Sequence, residues 1–161
     1  MKIIGLNSGE YNSSACFIED GIIKFAIQEE RLNRQKFTKK FPTLSIKKIL
    51  RNRNLKLSDI DYIGVGWNPS LHMNLFNPLI SENRTLRENN LYTISDNLFN
   101  LTNREFGNYT LVKHDNKKFP DIYHINHHIS HASTAFYLSN LKEAAILTCD
   151  FRGENQCTTW G

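Results

Sequence analysis

No run of apolar residues in this sequence approaches the roughly 20 that a membrane-spanning helix needs, so neither a span nor a membrane partner is expected. The first residues, Met1 to Asn7, pass directly into a polar turn and lack the charged-then-apolar profile of a secretory leader. Cysteine is scarce: Cys16, Cys149 and Cys157 are odd in number, have no framework spacing and include no zinc-type pair. This excludes a disulfide scaffold and predicts reduced thiols in a cytoplasmic protein. Disorder is excluded by a 40% hydrophobic content, and 161 residues suffice to bury one core.

Charge of one sign is in modest excess. The net charge is +4, with cations clustered between Arg31 and Lys40 and again between Lys47 and Lys56. A phosphate-bearing partner would fit such clusters. However, 16 acidic residues are interspersed and no aromatic-plus-basic recognition module is present, so the clusters read as a solvated basic face and nucleic acid is not expected as a partner.

Along the chain, Lys2 to Asn7 predict a strand with Ile3, Ile4 and Leu6 buried, followed by a polar loop from Ser8 to Ser13. Ala15 to Glu19 and Ile22 to Gln28 predict two further strands, joined through Asp20-Gly21, a strong two-residue hairpin signal. These three strands alone suggest an antiparallel edge of an α/β sheet. Glu29, Glu30 and Arg31 read as a charged loop whose ion pairs contribute little. An amphipathic helix is expected from Ser45 to Arg53, with Ile46, Ile49 and Leu50 inward, and a strand from Tyr62 to Gly66. Beyond Trp67 the pattern weakens. Residues 68–118 read as an insertion in which Leu91 to Leu101 could form one helix.

Three of the six histidines fall within five residues: His127, His128 and His131. Ile122 to Ile125 predict a short strand, Asn126 a helix N-cap, and Ala132, Ala135, Phe136 and Leu138 a helical face running to about Leu138. On such a helix His127 and His131 stand four apart on one side, about 5–6 Å apart at Cβ. Two imidazoles so placed can share one zinc or iron ion, and Asp150, at the end of a strand predicted from Ala144, offers an oxygen ligand. The same residues also fit a helix cap, a satisfied core histidine and a turn.

The runs Asn-His-His-Ile-Ser-His-Ala-Ser-Thr-Ala-Phe-Tyr (126–137) and Ala-Ala-Ile-Leu-Thr-Cys-Asp-Phe-Arg-Gly-Glu (144–154) resemble the N-terminal domain of the O-carbamoyltransferases of nodulation-factor and antibiotic biosynthesis. Ile-Ile-Gly-Leu-Asn, Ser-Ser-Ala-Cys-Phe-Ile-Glu-Asp-Gly and Glu-Glu-Arg-Leu-Asn-Arg-Gln-Lys-Phe resemble the same family in the same order. The resemblance implies an actin-like ATPase (ribonuclease H-like) α/β fold: a mixed sheet that starts with an antiparallel three-strand meander and carries flanking helices. It makes residues 1–161 a single N-terminal lobe. The resemblance further implies transfer of a carbamoyl group from carbamoyl adenylate, made with ATP by a C-terminal domain, to a hydroxyl of a small molecule or sugar. In that reading a divalent iron or zinc ion is held by His127, His131 and Asp150. Lys36 points into the active site, and Asn7, Ser13 and Gly153 belong to phosphate-facing turns.

Two departures accompany the resemblance. Where the family has a general-base histidine in a His-Asp-x-Ser-Ala run, this chain has Tyr11, a poor base at neutral pH. The strand opening at Cys157 stops at Gly161, in mid-hairpin, which predicts an incomplete fold that pairs with a missing half, a partner chain or a second copy of itself. A transfer-RNA threonylcarbamoyl-type transferase and a non-catalytic nucleotide- or partner-binding lobe are the competing readings.

Overall fold

A computed structural model describes residues 1–9, 12–68, 94, 97, 98, 101, 120–151, 153, 154 and 156–161. They form a mixed α/β arrangement with a five-stranded mixed sheet and three α-helices. In chain order these are β1 (Lys2–Asn7), β2 (Ser14–Glu19), β3 (Ile22–Gln28), α1 (Glu30–Asn33), α2 (Thr43–Arg53), β4 (Tyr62–Val65), β5 (Asp121–His124), α3 (His127–Ser139), β6 (Leu147–Cys149) and β7 (Thr158–Trp160). The described residues divide into two compact units, one with those of 1–64 and 84–123, including 94, 97, 98 and 101, the other with those of 65–83 and 124–161. No described helix is long and apolar enough to cross a membrane.

In the first unit the meander forms as the residues predict. Asp20 and Gly21 adopt φ of 50° and 78°, the left-handed pair that matches the twist of a two-residue hairpin. β1 and β2 pair antiparallel with Ile4 opposite Phe17 and Leu6 opposite Ala15, all four buried. Because strand side chains alternate in direction, these residues share one face, and Ile46 and Ile49 of α2 are buried with them. After α2 the chain returns as β4, giving the sheet order β3-β2-β1-β4-β5. On the intervening register Gly5 pairs with Cys16, and a Cβ at Gly5 would lie 2.7 Å from the cysteine sulfur. Burial there pushes the Cys16 thiol pKa up.

The charged stretch after β3 differs from expectation. Glu29 is not a solvated loop residue: it is 3% exposed and accepts hydrogen bonds from Leu44 N (3.0 Å), Ser45 N (2.8 Å) and Ser45 Oγ (2.7 Å). These are first-turn groups of α2, whose N-cap Pro42 has no side-chain acceptor to offer. A carboxylate from sixteen residues upstream therefore caps the helix and meets its positive end. It also explains why α2 begins at Thr43 rather than Ser45. Glu30 starts the short α1 and accepts from Phe37 N at 2.9 Å. Phe37 thereby holds a left-handed φ of 54° with its ring 65% exposed.

In the second unit, α3 starts as predicted. Asn126 Oδ1 accepts from Ile129 N at 3.0 Å, and Asn140 closes the helix at φ 61°. The expected apolar face is not buried, however: Ala135 and Leu138 are exposed, and the buried residue of the helix is His128. β6 is shorter than predicted, although mutual bonds between Ile146 and Gly161 extend its ladder with β7 by one pair. The insertion 68–118 lies outside the described residues apart from Asn68 and residues 94, 97, 98 and 101. Those four are helical, with Ile94 and Leu98 buried.

Candidate metal centre

The start of α3 and the turn after β6 bring together His127, His131 and Asp150. His127 Nε2 lies 2.6 Å from Asp150 Oδ2 and 3.0 Å from His131 Nε2, and His131 Nε2 lies 3.4 Å from the same carboxylate oxygen. The tautomer of His127 follows from its other nitrogen. Nδ1 is 3.3 Å from the carbonyl oxygen of Gly66, which can only accept, so Nδ1 bears the proton and donates. Nε2 then turns its lone pair toward an anionic oxygen and a second imidazole. Three electron-rich atoms at these separations repel one another unless a proton or a cation lies among them. Where it is a proton, the resulting hydrogen bond between His127 Nε2 and Asp150 holds the carboxyl below its usual pKa, favouring the anion.

The donor set fits a borderline transition metal. Metal–nitrogen bonds of about 2.0–2.1 Å in a tetrahedron place neighbouring donor atoms about 3.3 Å apart, close to the two longer separations here. A ligating histidine that donates its second ring N–H to a backbone carbonyl is also the usual arrangement in such centres. All three side chains are partly exposed, which leaves room for further ligands.

The third histidine does different work. His128 is 2% exposed, with Nδ1 2.7 Å from Thr148 Oγ1 and Nε2 2.9 Å from the Gln156 carbonyl. That carbonyl requires a proton on Nε2, and the Thr148 hydroxyl, 2.5 Å from Thr159 Oγ1, satisfies Nδ1. His128 thus ties α3 to β6 and to the segment that leads into β7. His124 donates through Nδ1 to the Trp67 carbonyl at 3.2 Å, and burial pushes its pKa down.

The other expected site residues are placed as follows. Lys36 is exposed in the turn after α1, in the first unit. Asn7 ends β1, with Nδ2 3.4 Å from the Asn12 carbonyl. Ser13 is fully buried, its backbone bonded to Thr38 O and Glu29 N, and its hydroxyl has no hydrogen-bond partner among the described residues. Tyr11 lies outside the described residues. At Gly153 an added Cβ would lie 2.6 Å from Gln156 O and 2.7 Å from the His128 ring, so glycine has a packing reason there. Gly153→Ala is expected to destabilise the protein by about 1–3 kcal/mol, because the obstacles are a backbone carbonyl and a buried ring that cannot swing aside; comparison of urea midpoints checks this.

Residues that the sequence did not single out complete the surroundings. Glu154 is 4% exposed and accepts from His127 N and Asn68 N, while the Trp67 ring meets the His127 ring edge-on at 5.3 Å. A glutamate four residues beyond a candidate ligand was the available signal, but its partners are 27 and 86 residues away in sequence.

Known proteins resemble this chain in sequence. Uncharacterized protein sll1178 of Synechocystis sp. is 29% identical over 160 residues, which cover 94% of this chain and 26% of that protein. Nodulation protein NolNO of Sinorhizobium fredii is 31% identical over 151 residues, covering 92% of this chain and 20% of that protein. The chain therefore spans about a fifth to a quarter of the length of these curated relatives. The family model described as Carbamoyltransferase N-terminus matches residues 2–160, and the chain belongs to that family.

Proposed function

We propose that this chain is the acceptor-side portion of an ATP-dependent O-carbamoyltransferase, moving a carbamoyl group from carbamoyl adenylate to a hydroxyl of a small molecule or sugar. The observation that carries the reading is the convergence of His127, His131 and Asp150, with the His127 tautomer set by Gly66, in a chain of this family. Bound there, a divalent iron or zinc ion supplies Lewis acidity toward the carbamoyl oxygen. The chain's own residues do the rest. Lys36 adds a positive charge near the transferred group. The turns with Asn7, Ser13 and Gly153 face phosphate. The actin-like fold is part of the same proposal and is supported by the antiparallel meander and the crossover through α2 to β4.

Tyr11 stands where the resemblance expects the general base, and a phenol with a reference pKa of about 10 retains its proton at neutral pH. Deprotonation of the acceptor is correspondingly slow, or the acceptor differs. This feature favours a second reading, a non-catalytic lobe that binds nucleotide or a partner. In either case the remainder of the longer relatives, a partner chain or a second copy meets this portion. Exposed Ile22 and Ile23 on the strand at one end of the sheet, and Trp160 on the hairpin, support such association.

Titration of the metal-loaded chain with a hydrolysis-resistant carbamoyl adenylate analogue tests the proposal. Saturable binding, weakened at least about tenfold in Lys36→Ala by loss of one charge-assisted contact, is expected. Metal-loaded protein without saturable analogue binding would replace the enzyme reading by a lobe that binds a partner chain.

A further inference from the structure

The turn that supplies Asp150 also contains Glu154, a buried carboxylate that the proposed transfer does not use. Its Oε1 accepts from Asn68 N at 2.7 Å and from His127 N at 2.9 Å, and Oε2 accepts from His127 N at 3.1 Å. His127 is the first residue of α3, and its amide is beyond the N-cap side chain, which is spent on Ile129. The amide of Asn68 lies two residues after Gly66, whose carbonyl fixes the His127 ring through Nδ1. One carboxylate therefore holds both supports of that ring: the backbone from which it projects and the segment whose carbonyl orients it.

We infer that Glu154 is the positioning residue of the metal centre, setting the distance from His127 Nε2 to Asp150 rather than merely capping α3. This rests on the metal-binding reading proposed above. Removing a charged, fourfold acceptor from water is costly unless donors replace the water, and two backbone amides do so here. Glutamine at this position keeps a single acceptor oxygen. Even with that oxygen in the Oε1 place, where it meets both amides, an NH2 group replaces the oxygen 3.1 Å from His127 N and the charge that strengthens these bonds is lost, so the ring loses its aim while the helix keeps its Asn126 cap. Ligand sites tolerate displacements of only about half an ångström, and loss of a supporting group outside the ligand set commonly lowers metal affinity about 10–100-fold.

Glu29 supplies an internal control, being equally buried at the N-terminus of α2 in the other unit. Cobalt(II) affinity of the whole chain is measured by chelator competition, with the visible absorption of the bound ion and the thermal melt recorded for wild type, Glu154→Gln, Glu154→Asp and Glu29→Gln. The expected result is a drop of about 10–100-fold for Glu154→Gln with an altered visible spectrum, partial recovery in Glu154→Asp, and for Glu29→Gln a lowered melt with affinity within about twofold of wild type. Wild-type affinity and spectrum in Glu154→Gln would overturn the inference and leave Glu154 a helix cap. If Glu154→Gln does not fold, Glu154→Asp decides: unchanged affinity and spectrum overturn the inference. A wild-type chain that takes up no cobalt would remove the metal reading and this inference together.

Discussion

Replacement of His127 by alanine is expected to reduce zinc or cobalt affinity by about 10²–10³-fold. The magnitude follows from dividing about 10–16 kcal/mol of apparent binding energy over four ligands, which gives about 3 kcal/mol for each. His127 makes the two shortest separations of the trio, 2.6 Å from Asp150 and 3.0 Å from His131, so its loss leaves only the 3.4 Å pair of His131 and Asp150. The fold should persist, because α3 is anchored through His128 and Asn126 instead. Elemental analysis of purified wild type beside His127→Ala, with circular dichroism on both, provides the measurement. Equal metal content in the two proteins would place any bound ion elsewhere.

Glu29→Ala is expected to cost about 3 kcal/mol of folding stability, combining a lost helix cap with the desolvation of amides left without an acceptor. Leu44 N and Ser45 N both depend on this carboxylate, and the neighbouring N-cap, Pro42, has no acceptor to replace it. For a chain of this size the loss corresponds to a drop of roughly 10 °C in melting temperature. Glu29→Gln, which keeps one acceptor oxygen, should lose about half as much. Thermal melts of the three proteins under identical conditions check the order; an unchanged Glu29→Ala melt would show that water replaces the carboxylate without cost.

Glu29 and Glu154 also mark the boundary of what the sequence discloses. The Asp20-Gly21 hairpin, the Asn126 cap and the four-residue spacing of His127 and His131 are local, set by dihedral preferences and helical period within a few residues, and all appear where they were expected. The buried acidic residues were not legible, because a carboxylate looks the same in sequence whether it faces water or an amide sixteen or eighty-six positions away. Choosing among the three clustered histidines had a similar limit. Helical spacing put His127 and His131 on one side, but the burial of His128 depends on Thr148 and Gln156, which only the tertiary fold brings to it. The exposed Leu138 shows the converse error: periodicity predicts a helix, not what covers it.

The turn between β6 and β7 carries Asp150 and Glu154 within five consecutive residues, with Gly153 packed against His128 between them. Its length is consequently not free to drift as surface turns usually do. One residue inserted or deleted between positions 150 and 154 would shift the oxygen donor relative to the clamp, and would move a Cβ-bearing residue into the space that only glycine can occupy. Point substitutions would wear this centre away in steps, whereas a single-codon indel would remove it at once. On the metal reading proposed above, the length of this turn is therefore the trait among natural variants that should separate chains able to bind an ion from those that are not.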